Sequence, residues 1–434
     1  MKYIQNLNET KWQFKNIPEF TQGKLSPVFA DCGTGMEIDC ELNSENDSFT
    51  HTFYEVNAED IISYCNTLTK AGFEKLYENR IADNMYFQFK VQEGLFYISY
   101  LQKSNVARFI LDRCRTKSIS DFGYSDFTPV NEDTVFSQYS LHYAEMIKGT
   151  TCDCGMNYVF RLRDNSLIII DGGEVEQATD IAIKDYMDFL HKLTETQNGE
   201  KIRISLWLCT HAHNDHMDFL SKLMRFFNGE LEIERAAFNF ANSENVKPSV
   251  DVDVMKERFK KYYPDTEYIK LHAGNRFNIA NAKITVLCVN EDVIDKDKER
   301  VFAGCNTTSC IFTVETEKIK TLFLADADET NGGVLIENFP AEITDCEFMQ
   351  AAHHGINKNY EVYETLNAKY ILLPQCRMNM ETRFEEIFEH LHNRYGENNI
   401  LLANDKTEIF TLKDGAYSRS SREHVGCAYD NSEW

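Results

Sequence analysis

The chain has 434 residues, of which 43% are hydrophobic and 12% aromatic, which is ample for a large packed core. Its formal net charge of −24 argues against the broad basic surface that binding to a long nucleic acid requires. The N-terminal residues have no apolar core of the kind found in a signal peptide, and no run approaches the length of a membrane span. We therefore expect a cytoplasmic protein without membrane attachment, whose 13 cysteines are mostly reduced core residues.

The first part of the chain, residues 1–124, predicts a small α+β domain. Within residues 49–113 a strand is followed by an amphipathic helix that begins after Asn57 and ends at Gly72, and then by four strands. The charges of this segment follow the pattern of ordinary solvated faces, and it contains no cluster of ligand-type residues. We interpret it as an accessory domain that shapes a site or joins copies of the chain into a homo-oligomer.

The remainder, residues 125–434, predicts strands that alternate with helices, as in α/β folds. A polar tail is expected at residues 413–434. The other predicted elements are strands at 158–163, 167–170, 202–209, 231–240, 267–271, 284–288, 310–314, 321–326, 346–352, 370–374, 400–402 and 408–412, and helices at 176–194, 218–227, 252–263, 330–338 and 383–394.

The central motif of the chain is Thr210-His211-Ala212-His213-Asn214-Asp215-His216, which follows the buried strand 202–209. It places three imidazoles and one carboxylate within six residues at the end of a strand, where open α/β sheets present their chemistry. In extended backbone His211 and His213 point to one side, whereas the adjacent Asp215 and His216 point apart. Neutral imidazole and carboxylate ligands suit zinc, and also iron or manganese.

Three further strands end in residues of the same chemical type. The strand 167–170 ends in Asp171-Gly172-Gly173, whose glycines permit a tight turn toward the central motif. The strand 321–326 ends in Asp326, and the strand 346–352 is followed by His353-His354-Gly355. Two histidines before a glycine at a strand end are atypical of a hydrophobic core.

Together these motifs resemble the metallo-β-lactamase-fold hydrolases. His211-Ala212-His213-Asn214-Asp215-His216 is similar to the HxHxDH signature of that family, and the strand ends at Asp171 and Asp326 are similar to two of its other motifs. His353-His354-Gly355 resembles a motif of the branch that includes the hydrolase domains of ComEC-type competence proteins and the phosphorylcholine esterases. The resemblance spans roughly residues 125 to 412.

The resemblance implies a four-layer αββα sandwich preceded by the small α+β domain. It also implies two divalent metal ions, zinc in the first place and manganese or iron as alternatives. The implied ligands are His211 and His213 for the first ion, Asp215, His216 and one of His353 and His354 (preferably His354) for the second, and Asp326 as a bridge. Asp171 is implied to orient the ligand-bearing loop without binding metal.

The chain departs from the family pattern at three places. Many members carry a third histidine ligand between the central motif and the bridging aspartate, and the only histidine in that interval here is His272. We interpret His272 as structural, so the first metal should have few protein ligands. Asp218 and Ile356-Asn357 also depart from the branch pattern close to the expected substrate pocket, so the resemblance constrains the metal site more than the substrate.

The resemblance to the His-His-Gly branch, which is similar to phosphodiesterases and nucleases, implies hydrolysis by a metal-bound hydroxide, with a phosphoester or phosphodiester as the first choice of substrate. Asp215 would orient the water, and whichever of His353 and His354 is not a ligand would contact the substrate or donate a proton. The acidic composition favours a small or short substrate. The alternatives are hydrolysis of another ester, a lactone or a thioester, an iron-dependent oxidoreductase on the same fold, and a binding protein with a vestigial site.

Overall fold

The structure is a computed structural model that describes residues 4–6, 11–31, 48–113, 115, 117–141, 155–174, 178, 180–241, 252–293, 304–403 and 406–422. Parts of two sequence predictions, the helix at 176–194 and the tail at 413–434, lie outside these residues.

The strands, in chain order, are β1 (Ile4–Asn6), β2 (Lys24–Asp31), β3 (Ser48–Tyr54), β4 (Glu74–Ile81), β5 (Asn84–Val91), β6 (Gly94–Leu101), β7 (Val106–Arg113), β8 (Thr134–Gln138), β9 (Tyr158–Arg161), β10 (Leu167–Ile170), β11 (Ile202–Leu208), β12 (Leu231–Ile233), β13 (Arg235–Phe238), β14 (Glu267–Lys270), β15 (Arg276–Ile279), β16 (Ala282–Cys288), β17 (Ile311–Thr316), β18 (Ile319–Phe323), β19 (Cys346–Gln350), β20 (Ala368–Leu373), β21 (Ile400–Leu402), β22 (Thr407–Lys413) and β23 (Ala416–Arg422). The helices are α1 (Ala58–Lys70), α2 (Ile119–Phe122), α3 (Asp180–Thr194), α4 (Asn214–Phe226), α5 (Val252–Tyr262), α6 (Asn290–Val293), α7 (Glu329–Asn338), α8 (Ala341–Thr344), α9 (Tyr360–Thr365), α10 (Arg377–Thr382) and α11 (Glu385–Tyr395).

The N-terminal strands form a seven-stranded sheet in the order β1-β2-β3-β7-β6-β5-β4, with a hydrophobic core of its own beneath α1. The helix begins where the sequence predicts, because the side chain of Asn57 accepts a hydrogen bond from the backbone of Asp60 and the Asp60 carboxylate accepts one from the backbone of Asn57. The four predicted antiparallel strands are present as β4 to β7.

The rest of the chain forms two sheets that face each other. One has nine strands, in the order β14-β13-β11-β10-β9-β8-β22-β23 with β12 beside β11, and the other has seven, in the order β15-β16-β17-β18-β19-β20-β21. Aromatic rings fill the space between them: Phe136 of β8 lies 5.3 Å from Phe348 of β19, and Tyr158 of β9 lies 5.2 Å from Phe323 of β18, between ring centroids.

Helices cover the outer faces of both sheets. On the nine-stranded sheet, Trp207 of β11 packs against Phe259 of α5, and α3 also contacts β11. On the seven-stranded sheet, α11 packs on β20 and β21, and α7 packs on β16. The layers are therefore helix, sheet, sheet and helix, and the mixed α/β fold class predicted from the sequence is confirmed.

Two local predictions are wrong. The helix after the central motif begins at Asn214 rather than Asp218, because His213 is already extended backbone at the N-cap position and the chain turns immediately after it. Residues 416–422 of the expected tail form β23, whose polar side chains are mostly exposed because it pairs with β22 at the edge of the sheet. Such an exposed edge strand has no need of the hydrophobic pattern that would have predicted it.

Buried charges join the N-terminal sheet to the rest of the protein. The carboxylate of Asp112 at the end of β7 is 1% exposed and lies 2.9 Å from Nζ of Lys270 and 2.6 Å from Nε2 of His272. The other ring nitrogen of His272 lies 3.1 Å from the carboxylate of Glu291. Apolar contacts contribute to the same interface, because Ile81, Tyr86 and Leu101 of the N-terminal sheet belong to the main hydrophobic core.

A second ion pair follows the same pattern. Arg108 of β7 is buried, donates a hydrogen bond of 2.7 Å to the backbone carbonyl of Asp292, and lies 3.3 Å from its carboxylate. The prediction that the charges of the N-terminal segment lie on solvated faces is therefore wrong for Arg108 and Asp112, because their side chains enter the interface with the other sheets. The domain boundaries at 1–124 and 125–434 stay a prediction.

Within the part of the chain that the structure describes, no helix is long and apolar enough to cross a membrane.

The buried network predicts a pH-dependent contribution to stability. Burial opposes the charged form of His272, but Glu291 and Asp112 outweigh it and raise the pKa of His272 from 6.5 to about 9. A raised pKa stabilises the folded state fully below pH 6.5, and the contribution is lost as the pH rises through the folded-state value. We expect the difference in unfolding free energy between the native protein and His272→Gln to shrink by about 3 kcal/mol over this window, measured by denaturant titration at several pH values.

The matched control is the same comparison in an Asp112→Asn background. There the decrease should be smaller, because one of the two carboxylates that raise the pKa of His272 has lost its charge. A difference that is independent of pH in the native background would contradict this account.

Candidate metal centre

The candidate site lies where strands from both facing sheets end. β10 and β11 are parallel neighbours in one sheet, and β18 and β19 are parallel neighbours in the other, so each pair presents its carboxyl ends at one edge. The residues that follow these four strand ends are, in the same order, Asp171, the central motif from Thr210 to His216, Asp326, and His353 with His354.

Ligand-type side chains converge there in two groups, within each of which the candidate ligand atoms lie within 4.8 Å of one another. The first group is His211, His213 and Asp326, and the second is Asp215, His216, Asp326 and His354. The structure thus brings together all six predicted metal ligands, and Asp326 belongs to both groups as its predicted bridging position requires.

The start of α4 explains why Asp215 and His216 serve the same group. Both residues lie in the first turn of the helix and not in extended backbone, so the inference that they point apart is wrong. Nε2 of His216 lies 3.9 Å from Oδ1 of Asp215. Asp215 also lies in the first helical turn, where the positive end of the helix dipole stabilises its negative charge.

Asp171 holds the central motif in place through hydrogen bonds. Its fully buried carboxylate accepts hydrogen bonds from the backbone nitrogen and the hydroxyl of Thr210, at 2.8 and 2.9 Å. Its Oδ2 also lies 2.7 Å from Nδ1 of His216, which directs Nε2 of that ring into the second group. This geometry corresponds to the predicted orienting role of Asp171.

The glycine after Asp171 lets α4 approach. A Cβ atom on Gly172 would lie 2.2 Å from Cβ of Leu220, so a larger residue would push the helix that carries Asp215 and His216 away from the strand ends.

Strained backbone occurs at this edge of the two sheets, as it also does at several turns elsewhere in the described residues. Four non-glycine residues there adopt a positive φ: Asp171 at 56°, Ala325 at 51°, His353 at 47° and His354 at 54°. Left-handed backbone is costly for such residues and persists where the surrounding structure enforces it, which is typical of functional sites.

Buried polar atoms at the centre of the site fit a divalent cation. Nε2 of His211, Nε2 of His216 and both carboxylate oxygens of Asp326 are buried and have no hydrogen-bond partner among the described residues. Nε2 of His216 lies 3.1 Å from Oδ1 of Asp326, and Nε2 of His211 lies 3.5 Å from Oδ2. Such an arrangement is costly unless it binds an ion, and the imidazole and carboxylate donors suit zinc, iron or manganese.

The electrostatics of the site favour positive charge at its centre. Burial opposes the charged form of His216, but Asp326 and Asp171 outweigh it and raise the pKa of His216 well above its usual value. Burial likewise opposes charge on His354, whose pKa Asp326 and Asp215 raise to about 9. Carboxylates that stabilise cations this strongly provide the environment that a metal ion requires.

His213 differs from these two rings. Burial, together with the neighbouring His211, lowers the pKa of His213 to about 4. Its imidazole is therefore neutral at physiological pH, which is the form that binds metal.

The two histidines of the His-His-Gly motif occupy different positions. His354 is 2% exposed and donates from Nδ1 to the carbonyl of Pro374 at 3.1 Å, which leaves Nε2 directed toward Asp215 at 2.9 Å. The side chain of His353 is 31% exposed, and its Nε2 lies 3.7 Å from Asp326 and 3.2 Å from Nδ2 of Asn306. This geometry favours the predicted choice of His354 as the ligand.

His272 belongs to the interface with the N-terminal sheet and to neither ligand group. Its placement agrees with the structural role inferred from the sequence. Among the described residues, the first group therefore contains three candidate ligands, which are His211, His213 and Asp326.

An open cavity of about 580 Å³ adjoins the first group. Its lining combines polar side chains with apolar groups, among them Cys305 and Ile356, and it includes one lysine, Lys358, which is paired with Glu386 at the rim. The lining residues are His213, Gly304, Cys305, Asn306, Thr307, Asp328, His353, Ile356, Asn357 and Lys358.

Several residues that shape this site were not predicted from the sequence. One is Thr210, whose hydroxyl lies 2.9 Å from Asp171 and 3.1 Å from His211. The others are Lys358 and Gln350. A glutamine within the apolar strand before His353 was a weak signal for Gln350, because a buried amide must find hydrogen-bond partners.

No protein-family model and no curated protein sequence matches this chain. Solved structures with a similar fold include the metallo-β-lactamase-fold protein YhfI from Bacillus subtilis, at 10% identity and a TM-score of 0.38, covering 66% of this chain and 100% of that one. Zinc-bound PqqB from Methylobacterium extorquens has 8% identity and a TM-score of 0.39, covering 66% and 99%. The diiron β-hydroxylase CmlA from Streptomyces venezuelae has 12% identity and a TM-score of 0.34, covering 68% and 55%.

The ligand assignment predicts separate losses of metal. His216→Ala removes a ligand of the second group only, so we expect it to lose about one ion per chain. Asp326→Ala removes the residue that both groups share, so it should lose both. Metal content is measured by inductively coupled plasma mass spectrometry on protein purified without chelator.

His392→Ala, which removes a histidine of α11 that contacts Phe388, is the matched control and should keep the full metal content. Circular dichroism establishes that each variant is folded. Stoichiometric metal in both folded site variants would refute the assignment.

Proposed function

We propose that this protein is a metal-dependent hydrolase of phosphoesters, with a small or short phosphodiester as substrate. The observation that carries the proposal is the pair of candidate ligand groups that share Asp326 beside an open cavity. His211 and His213 would hold the first ion and Asp215, His216 and His354 the second. Two such ions would supply a water activated near neutral pH and would neutralise charge on a phosphoryl group.

Asp215 is the group placed to handle the proton of the attacking water. It is the most exposed carboxylate of the second group, with 18% of its side chain accessible, and its Oδ2 is held at 2.9 Å from Nε2 of His354. The other carboxylate oxygen, Oδ1, would accept a hydrogen bond from the attacking water. His354 and Asp326 are almost fully buried and serve as ligands.

His353 is placed to contact the substrate. It lines the cavity and its side chain is 31% exposed. Burial lowers its pKa, so the ring is neutral at physiological pH and donates a hydrogen bond to a phosphoryl oxygen more readily than it transfers a proton. Of the two roles considered from the sequence, substrate contact is the better supported.

The cavity offers hydrogen-bonding groups to a compact substrate. Asn306, Thr307 and Asn357 carry neutral hydrogen-bonding groups, while the Lys358 cation at the rim is paired with Glu386 and the carboxylate of Asp328 caps α7. The formal net charge of −24 disfavours a long polyanion, because a strongly acidic protein repels it. A homo-oligomer formed through the N-terminal sheet, and a cytoplasmic location, stay predictions.

A second candidate is an iron-dependent oxidoreductase. The observation that favours it is the second group, in which two imidazoles and two carboxylates are ligands that also suit iron. Retention of iron, but not zinc, together with oxygen consumption in the presence of a reductant, would favour this candidate over the hydrolase.

The test of the hydrolase is a panel of aryl phosphodiesters, phosphomonoesters, single-stranded and duplex DNA, a lactone and a thioester, each assayed with zinc, manganese or iron. We expect turnover of the small phosphodiesters and little of duplex DNA. Asp215→Ala should abolish it, and His353→Gln should lower kcat/KM by about 10- to 100-fold, the usual effect of losing one hydrogen bond to a charged group.

His392→Gln is the control and should keep native activity. Turnover of only the lactone or the thioester would contradict the phosphoester proposal and would leave the metal assignment intact.

A further inference from the structure

Gln350 lies between the two turns that carry Asp326 and His354. It is the last residue of β19 and is completely buried. β18 and β19 pair in parallel up to Phe323 and Gln350, and beyond this pair the two main chains separate into their ligand-bearing turns.

The side-chain amide of Gln350 continues the pairing where the main chains separate. The backbone nitrogen of Leu324 donates to Oε1 of Gln350 at 2.9 Å, and Nε2 of Gln350 donates to the carbonyl of Ala325 at 3.0 Å. Nε2 also contacts the carbonyl of Ala351 on its own turn. One amide therefore holds both turns.

The turn that Gln350 holds is strained and leads directly to a ligand. Ala325 has a φ of 51° and immediately precedes Asp326. Its carbonyl also accepts a hydrogen bond of 2.9 Å from the backbone nitrogen of His353, so the two turns are joined at the same atom from two directions. A small change in Ala325 would move the carboxylate of Asp326 relative to His354.

We propose that Gln350 is a positioning residue for the metal centre, and that its side-chain amide sets the separation of Asp326 and His354 on which binding of the second ion depends. The inference rests on the proposed metal centre and is independent of the substrate. Gln350 would act on the ions through the backbone, since both ends of its amide bond to main-chain atoms of the two turns.

Glutamine suits this position because it combines an acceptor and a donor on one planar group. Glutamate has nearly the same volume and keeps the acceptor for Leu324, but when ionised it has no donor for Ala325 and adds a buried charge beside two carbonyl oxygens. Methionine has a similar length and loses both hydrogen bonds without adding a charge. The two substitutions therefore break the hydrogen bonds to the turns in two different ways without opening a large cavity.

The experiment compares the native protein with Gln350→Met and Gln350→Glu, loaded with cobalt(II). Two quantities are measured: the dissociation constants of the two ions by titration, and the visible absorption bands of cobalt, which report its ligand geometry. We expect binding of one ion to weaken at least tenfold in Gln350→Met, with altered band positions, and to weaken in Gln350→Glu as well, because the carboxylate is repelled by the carbonyls of Ala325 and Ala351.

Gln138→Met is the matched control. Gln138 is another buried glutamine, with Nε2 donating to the carbonyl of Leu401 at 2.8 Å, but it lies on β8 and contacts neither ligand-bearing turn. This variant should lose stability while both ions bind with native affinity and a native spectrum.

Native affinities and a native cobalt spectrum in either folded Gln350 variant would overturn the inference. Equal weakening in Gln138→Met would also overturn it, because the effect would then reflect stability alone. If the native protein itself binds no cobalt, the proposed metal centre is wrong. If the native protein binds cobalt and Gln350→Met binds it equally well, only the role of Gln350 is wrong.

Discussion

The site depends on burying the carboxylate of Asp326 where two sheets meet. An unpaired carboxylate is costly to bury, and this one has two oxygens directed at imidazoles of the central motif. Burial opposes its charge, but His216 and His354 outweigh this and hold the pKa of Asp326 well below its usual range. The strained turns, the close approach of α4 at Gly172 and the buried support from Asp171 all serve to keep these charged groups at fixed distances.

The N-terminal sheet is coupled to this edge of the molecule by charge. Asp112 of β7 is linked through His272 to Glu291 of α6. Arg108 of β7 binds Asp292 of the same helix directly. α6 in turn packs against the turn Asn306–Thr308, which lines the cavity. The N-terminal sheet therefore supports a wall of the candidate site, which is consistent with an accessory domain that shapes the site.

The sequence was sufficient for the elements whose signals are local. The motif at His211–His216 and the polar residues after β10, β18 and β19 identified the candidate site, because parallel strands must end at a common edge. The sequence could not reveal the buried ion pairs formed by Asp112 and Arg108, since their partners lie more than 150 residues away in the chain. It also missed β23, whose exposed polar residues carry no strand pattern, and the dual hydrogen bonding of Gln350, which depends on where β18 and β19 separate.

X-ray absorption at the metal edge of the purified, metal-loaded protein tests the central claim most directly. The account predicts nitrogen and oxygen ligands with an imidazole contribution, and a second metal at about 3.5–4 Å, because Asp326 belongs to both ligand groups. A single isolated ion with no metal neighbour, in protein that has bound all the metal it can hold, would contradict it.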